Sequence, residues 1–215
     1  MRGLILAACL ACAPQIIATG QAAVLTQDTL IHQLQEGSSD ERRQAARALG
    51  DVGDTAAVPF LIDALKDDDE TVQFLAERSL WAIWSRYGDP KIDALLQEGI
   101  HLMQSDRLDE AIATFDEVIR GAPEFAEGYN RRATAYYLMG QYERSITDCE
   151  ETLRRNPLHF GALSGLGYNY IQLGKPEKAV RFFERALAVN PNKPKVRSVL
   201  NELKQGLREK ARDSI

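Results

Sequence analysis

From Ile92 onward the apolar and small positions repeat every 34 residues. Pro123, Pro157 and Pro191 keep that spacing, as do Ala111, Ser145 and Ala179, and Gly99, Ala133 and Gly167. Segments 92–125, 126–159 and 160–193 therefore align without a gap. Within each segment apolar residues fall at helical spacing, and a unit of this length holds two helices that cannot bury their faces alone. The small residues let the two helices approach, while Phe115, Phe183, Tyr136 and Tyr170 fill the space between them. Each proline stops one helix and opens the next unit. Beyond Pro194, the positions Val196, Val199, Leu200, Leu203 and Leu207 form one helical stripe opposite Lys195, Arg197, Lys204, Arg208 and Lys210. This predicts a helix over 194–215 that covers the last apolar face.

Ahead of residue 92 the period is 31. Glu41-Arg42-x-x-Ala45-Ala46-x-Ala48-Leu49 aligns with Val72-Gln73-x-x-Ala76-Glu77-x-Ser79-Leu80, and Pro59 with Pro90, at that offset. The two periods meet on one predicted helix, Ile92 to Met103, with no Gly/Ser/Pro-rich linker between them. The expectation is an all-α chain: one continuous right-handed α-solenoid, with 31-residue pairs over 23–91 and three 34-residue units over 92–193.

The third 34-residue unit reads Leu163, Leu166, Gly167, Tyr170, Ala179, Phe183, Pro191 and resembles the tetratricopeptide repeat (TPR) at six of seven signature positions. The first unit keeps four. The second is the most divergent, with Tyr129, Arg132, Ala133, Tyr136, Ser145, Cys149 and Pro157. The 31-residue units resemble short HEAT-like repeats of the phycobilisome-lyase type. The first carries Ala45-Ala46-x-Ala48-Leu49-Gly50 and Val58-Pro59-x-Leu61-Ile62. The second departs: Gln73 stands for the usual Arg, Glu77 for Ala, and Trp81 and Trp84 for small residues, which marks it as a modified junction.

Residues 1–22 read as a secretory signal peptide. Arg2 precedes an apolar run from Leu4 to Ala13, and small residues follow from Ala18. The run is too short for a spanning helix. Leu6-Ala7-Ala8-Cys9 also resembles a lipoprotein box, which leaves a lipidated alternative open. Export to the periplasm, with secretion as another alternative, is the expected destination. Removal of the leader takes Cys9 and Cys12, leaving Cys149 at a core position as a packed small hydrophobe and no internal disulfide.

Charge changes the picture little. Lys+Arg 26 against Asp+Glu 31 gives −5, which argues against nucleic-acid binding through phosphates, and 27% charged residues exclude a polytopic membrane protein. The balance is uneven: 12 acids against 5 bases over 28–80, and 7 bases against 3 acids over 193–215. The densest acidic run, Asp67-Asp68-Asp69-Glu70, sits where a helix begins and is expected to cap it. His32, His101 and His159 lie in separate repeats without a second ligand, and no phosphate loop or nucleophile elbow occurs. No cofactor, metal or catalytic residue is expected.

The TPR resemblance implies a concave face built from the first helix of each unit. It places Ile100 and Met103 (unit one), Asn130, Arg131, Thr134, Tyr137 and Leu138 (unit two), and Ser164, Tyr168 and Ile171 (unit three) on that face, as a groove for a peptide or helix. Alternatively the C-terminal helix or a loop fills it. Leu96 belongs either to the groove or to the HEAT-side core. The positions that clamp a peptide carboxylate in some TPR proteins hold Leu96, Ile100, Arg131, Gly161 and Gly165, of which one is basic. The expected function is that of an exported, non-enzymatic interaction scaffold with a protein partner of the cell envelope. Membrane contact would come only through lipidation or the basic C-terminal helix. A non-catalytic subunit of an enzyme complex, or a self-assembling structural protein, are the alternatives.

Overall fold

A computed structural model describes residues 26–212 of the chain, so the leader reading of residues 1–22 lies outside the described residues. Eleven helices follow one another there: α1 (Gln27–Glu36), α2 (Ser39–Val52), α3 (Val58–Ala64), α4 (Glu70–Trp84), α5 (Pro90–Gln104), α6 (Leu108–Gly121), α7 (Ala126–Leu138), α8 (Tyr142–Arg155), α9 (Phe160–Gln172), α10 (Pro176–Val189) and α11 (Pro194–Arg212). From α5 onward each helix packs on the next. Such nearest-neighbour stacking of helix pairs is an α-solenoid. None of the described helices is long and apolar enough to cross a membrane.

The repeat signature explains the close packing. A Cβ on Gly99 would run into the Phe115 ring, and one on Gly167 into the Phe183 ring, 68 residues further along the same pattern. Both rings are fully buried. The glycine thus sets how near the paired helix can lie, and the phenylalanine fills the gap. In the divergent second unit Ala133 and Cys149 take these two places in the core, and a charge network is added beside them. Arg132, at a position where the repeat holds leucine, bonds Asp148 of α8 at 2.7 and 2.8 Å and reaches Asp116 of α6. That pairing holds its guanidinium above its ordinary pKa against the cost of burial.

The acidic run caps α4 as expected. Asp69 accepts from the Thr71 and Val72 N–H groups at 2.8 and 3.4 Å. It also staples two helices: Arg42 of α2 pairs with Asp67 at 2.8 Å and Arg43 with Asp69 at 2.5 Å. Cys149 is buried, and burial pushes its thiol up to about 12, so it behaves as a hydrophobe. The apolar stripe of α11 covers α10, with Val196 and Leu200 buried in the last core cluster.

The junction differs from the expectation. Ile92, Leu96 and Leu102 of α5 join Phe115 and Val118 in a core of unit one, so Leu96 is TPR core rather than groove or HEAT core. The N-terminal core, from Leu30 to Trp84, is completed instead by Phe160 at the start of α9, with Val189 packed beside it. The physical reason is size: Trp81 and Trp84 project farther than the small residues of a regular HEAT unit, and the rings they meet, His159 and Phe160, stand where unit two passes into unit three.

Candidate functional site

The helices α7 and α9 stand side by side and face a cavity of about 200 Å3. Five of the groove residues read from the sequence converge on it: Asn130, Thr134 and Tyr137 from α7, and Ser164 and Tyr168 from α9. Residues three and four apart on a helix share a face, which is why 130, 134 and 137, and 164 and 168, point to one side. Thr134 and Ser164 each donate to the carbonyl four residues back, at 3.0 and 2.9 Å. Tyr168 packs edge-on against Phe183 at 5.0 Å. Burial, with the neighbouring Tyr137, raises the pKa of its hydroxyl.

The other five lie elsewhere. Ile100 and Met103 are half-buried against the unit-one core. Ile171 is half-buried beside Val199, Leu203 and Leu207 of α11. Leu138 is 56% exposed at the end of α7. Arg131 is engaged within the chain: its Nε lies 2.6 Å from Glu127 Oε1, as a charge contact rather than an aligned hydrogen bond, and its guanidinium lies 5.8 Å from the Trp81 ring.

Glu127 is the centre of a buried polar cluster that the sequence reading missed. It is fully buried in the first turn of α7. Asn130 donates to its Oε2 at 3.1 Å, and His159 Nε2 lies 3.0 Å from the same oxygen. His159 caps α9, its Nδ1 accepting the Ala162 N–H at 3.1 Å. With Nδ1 accepting, Nε2 carries the proton and donates to the carboxylate. A buried carboxylate is tolerable only with such partners.

Helix α4 covers this cluster. Trp84 stacks on His159, centroids 4.6 Å apart at 27°, and Trp81 meets both His159 and Phe160 edge-on at 5.4 Å. A Cβ on Gly161 would stand 2.6 Å from Trp81 Cη2, so only glycine admits the indole there. Glu77 accepts from Asn190 at 3.0 Å and pairs with Lys193, and Asn192 donates to Leu65 O at 2.6 Å. The concave side is thus approached by a HEAT-side helix at Ser164 and Tyr168, and α11 also lies beside these residues and Ile171. The signal was present in the sequence: Glu77, Trp81 and Trp84 are three departures of the second unit from the HEAT pattern.

Among the described residues no group of His, Cys, Asp and Glu could hold a metal ion. The cavity offers neutral hydrogen-bonding groups and aromatic walls, which suits recognition of a side chain.

Comparison with known proteins agrees with this architecture. Residues 28–114 match the HEAT repeats, and residues 96–150 and 124–192 match tetratricopeptide repeats, so the two families overlap on α5 and α6. A TPR repeat-containing protein of Rhizobium etli is 33% identical over 124 residues, 58% of this chain and 61% of the relative. The small glutamine-rich tetratricopeptide repeat-containing protein 2 of Saccharomyces cerevisiae is 28% identical over 99 residues, 46% of this chain and 29% of the relative. The chain thus spans less than two thirds of the length of these relatives. Among solved structures, the first TPR of Spaghetti (RPAP3) bound to HSP90 peptide SRMEEVD is similar with a TM-score of 0.53 and 25% identity, over 55% of this chain and 94% of that one. The Sgt2 TPR domain from Aspergillus fumigatus gives a TM-score of 0.54 and 25% identity, over 57% and 83%. With its helix pairs, its glycine–phenylalanine contacts and these matches taken together, the chain carries tetratricopeptide repeats over residues 96–192 and HEAT repeats on their N-terminal side.

Proposed function

We propose that the protein is a non-enzymatic adaptor that holds a peptide or helix of a partner on the concave TPR face. The observation that carries this reading is the convergence of Asn130, Thr134, Tyr137, Ser164 and Tyr168 on one cavity. Nothing in the repeat signature calls for these polar and aromatic groups, and a surface of this kind marks a binding site. The similarity to a TPR domain bound to an HSP90 peptide supports a peptide as the ligand. The mode of binding differs from a carboxylate clamp, because the one base among the clamp positions, Arg131, is already paired with Glu127. The partner segment is amphipathic, with neutral polar groups directed into the cavity. The leader-like residues 1–22 support export, and with it a partner in the cell envelope.

In vivo crosslinking of the native protein, followed by mass spectrometry of the captured protein, identifies the partner. Tyr137→Ala and Tyr168→Ala should then weaken binding at least tenfold, an effect of truncated aromatic anchors. A partner retained by both variants at unchanged affinity would rule out the concave face.

A further inference from the structure

A second cavity lies where the two repeat types meet, and it shares no lining residue with the one between α7 and α9. It measures about 620 Å3, within the range of small-molecule sites, and such sites favour the seam between two folding units. Val58, Ile83 and Trp84 form its HEAT wall, and Phe125, Pro157 and Leu158 its TPR wall. Tyr87 ties the walls together: its ring packs on Phe125 at 5.3 Å, and its hydroxyl donates to Glu124. The fold itself therefore sets the width of the cleft. Leu158 and Tyr87 remain 37% and 38% exposed within it, apolar surface without a cover among the described residues.

One cation borders this cleft without a counter-ion. Arg86 donates to the carbonyls of Gly50, Asp51 and Gly53, at 3.3, 2.8 and 2.5 Å, and forms no ion pair among the described residues. Those bonds use three of the five N–H groups of a guanidinium and leave two for a ligand. The other base of the lining, Arg155, is paired with Glu151, and the one acid, Glu124, is engaged by Tyr87. We infer that the cleft binds a small amphiphilic monocarboxylate, its carboxylate on Arg86 and its apolar chain between the Trp84 and Phe125 walls. Other ligand chemistries fit less well. A neutral apolar molecule would desolvate Arg86 without supplying an anion, and an ammonium would be repelled by it. A dianion would find no second unpaired base in the lining.

The test is titration of the full chain with decanoate and with 1-decanol, followed by tryptophan emission. Trp81→Phe leaves Trp84, in the cleft wall, as the one reporter. Decanoate should saturate the signal with an affinity about tenfold above that of decanol, the contribution of one charge-assisted pair. Arg86→Gln should bring decanoate down to the level of decanol and leave decanol unchanged. Ala126→Leu, which narrows the cleft, should weaken both, and Tyr168→Ala in the peptide groove should alter neither. Arg86 also holds the end of α2, so a circular dichroism melt accompanies its variant; if that variant unfolds, the decanol comparison and Ala126→Leu decide. Equal affinity for the two probes overturns the carboxylate site. Binding that survives Ala126→Leu, or an absence of saturable binding, overturns the cleft as a ligand site, and neither result touches the groove reading.

Discussion

Phe160 is the residue whose removal should separate the two halves of the molecule. It is 1% exposed, it belongs to TPR unit three, and it completes the core of the HEAT side. Its ring stands 5.4 Å from Trp81 and 5.1 Å from Trp84. Truncating a buried phenylalanine to alanine costs about 3–5 kcal/mol in lost transfer energy and residual cavity. Of this, about 0.5–1.5 kcal/mol belongs to each aromatic pair. With a urea dependence near 3 kcal/mol/M, Phe160→Ala should lower the unfolding midpoint by about 1–2 M. Trp81 and Trp84 are the only tryptophans, so intrinsic fluorescence reports on this junction while circular dichroism reports on every helix. The variant should show red-shifted emission before any helix is lost, and the fluorescence transition should precede the helical one. Phe183→Ala, equally buried in the last core, should lower the midpoint without changing native emission. A Phe160→Ala protein with unshifted emission and a midpoint within about 0.3 M of the parent would refute the assignment, given that slope.

Further outcomes follow from the packing. Gly167→Ala should destabilise by about 1–3 kcal/mol in a thermal melt, although alanine is the better helix former, because its methyl meets the Phe183 ring; a stabilised variant would contradict the contact. Arg132→Leu restores the leucine of the repeat yet should cost about 3–5 kcal/mol by stranding Asp148, while the double variant with Asp148→Leu recovers much of that in a denaturation cycle. The Cys149 thiol should resist alkylation at pH 8 until the chain unfolds. Because burial raises its pKa to about 12 in the fold, its contribution is complete below the pKa of the unfolded thiol, near 9, and is lost as pH rises toward 12. Cys149→Ala should therefore flatten the alkaline fall of stability, and an unchanged slope would remove the thiol as its cause.

Much of the fold could be read from spacing alone. Proline and glycine at 34-residue intervals mark places where backbones turn or touch, and those constraints are local to one repeat. The helix pairs, the fate of Cys149 and the capping role of Asp69 follow from such local rules. The junction does not. Glu127 looks like an ordinary first-turn acid, and only the approach of His159, 32 residues on, makes it a buried centre. Its pairing also takes Arg131 out of the groove. Ile171 has the period of a groove residue, but α11 lies beside it. The two tryptophans carried the missing information, since a large ring in a slot for a small side chain must find another surface. Which surface it finds depends on contacts more than 70 residues apart, which no periodicity encodes.

The placement of Phe160 has a consequence for the order in which the chain is made. Phe160 follows Trp84 by 76 residues. At about 5–20 residues per second, the HEAT side emerges from the ribosome about 4–15 s before the ring that completes it. Through that interval α4 presents two indoles without the His159 and Phe160 rings they pack against, and the first half of the protein remains unfinished until translation has passed the start of its last TPR unit.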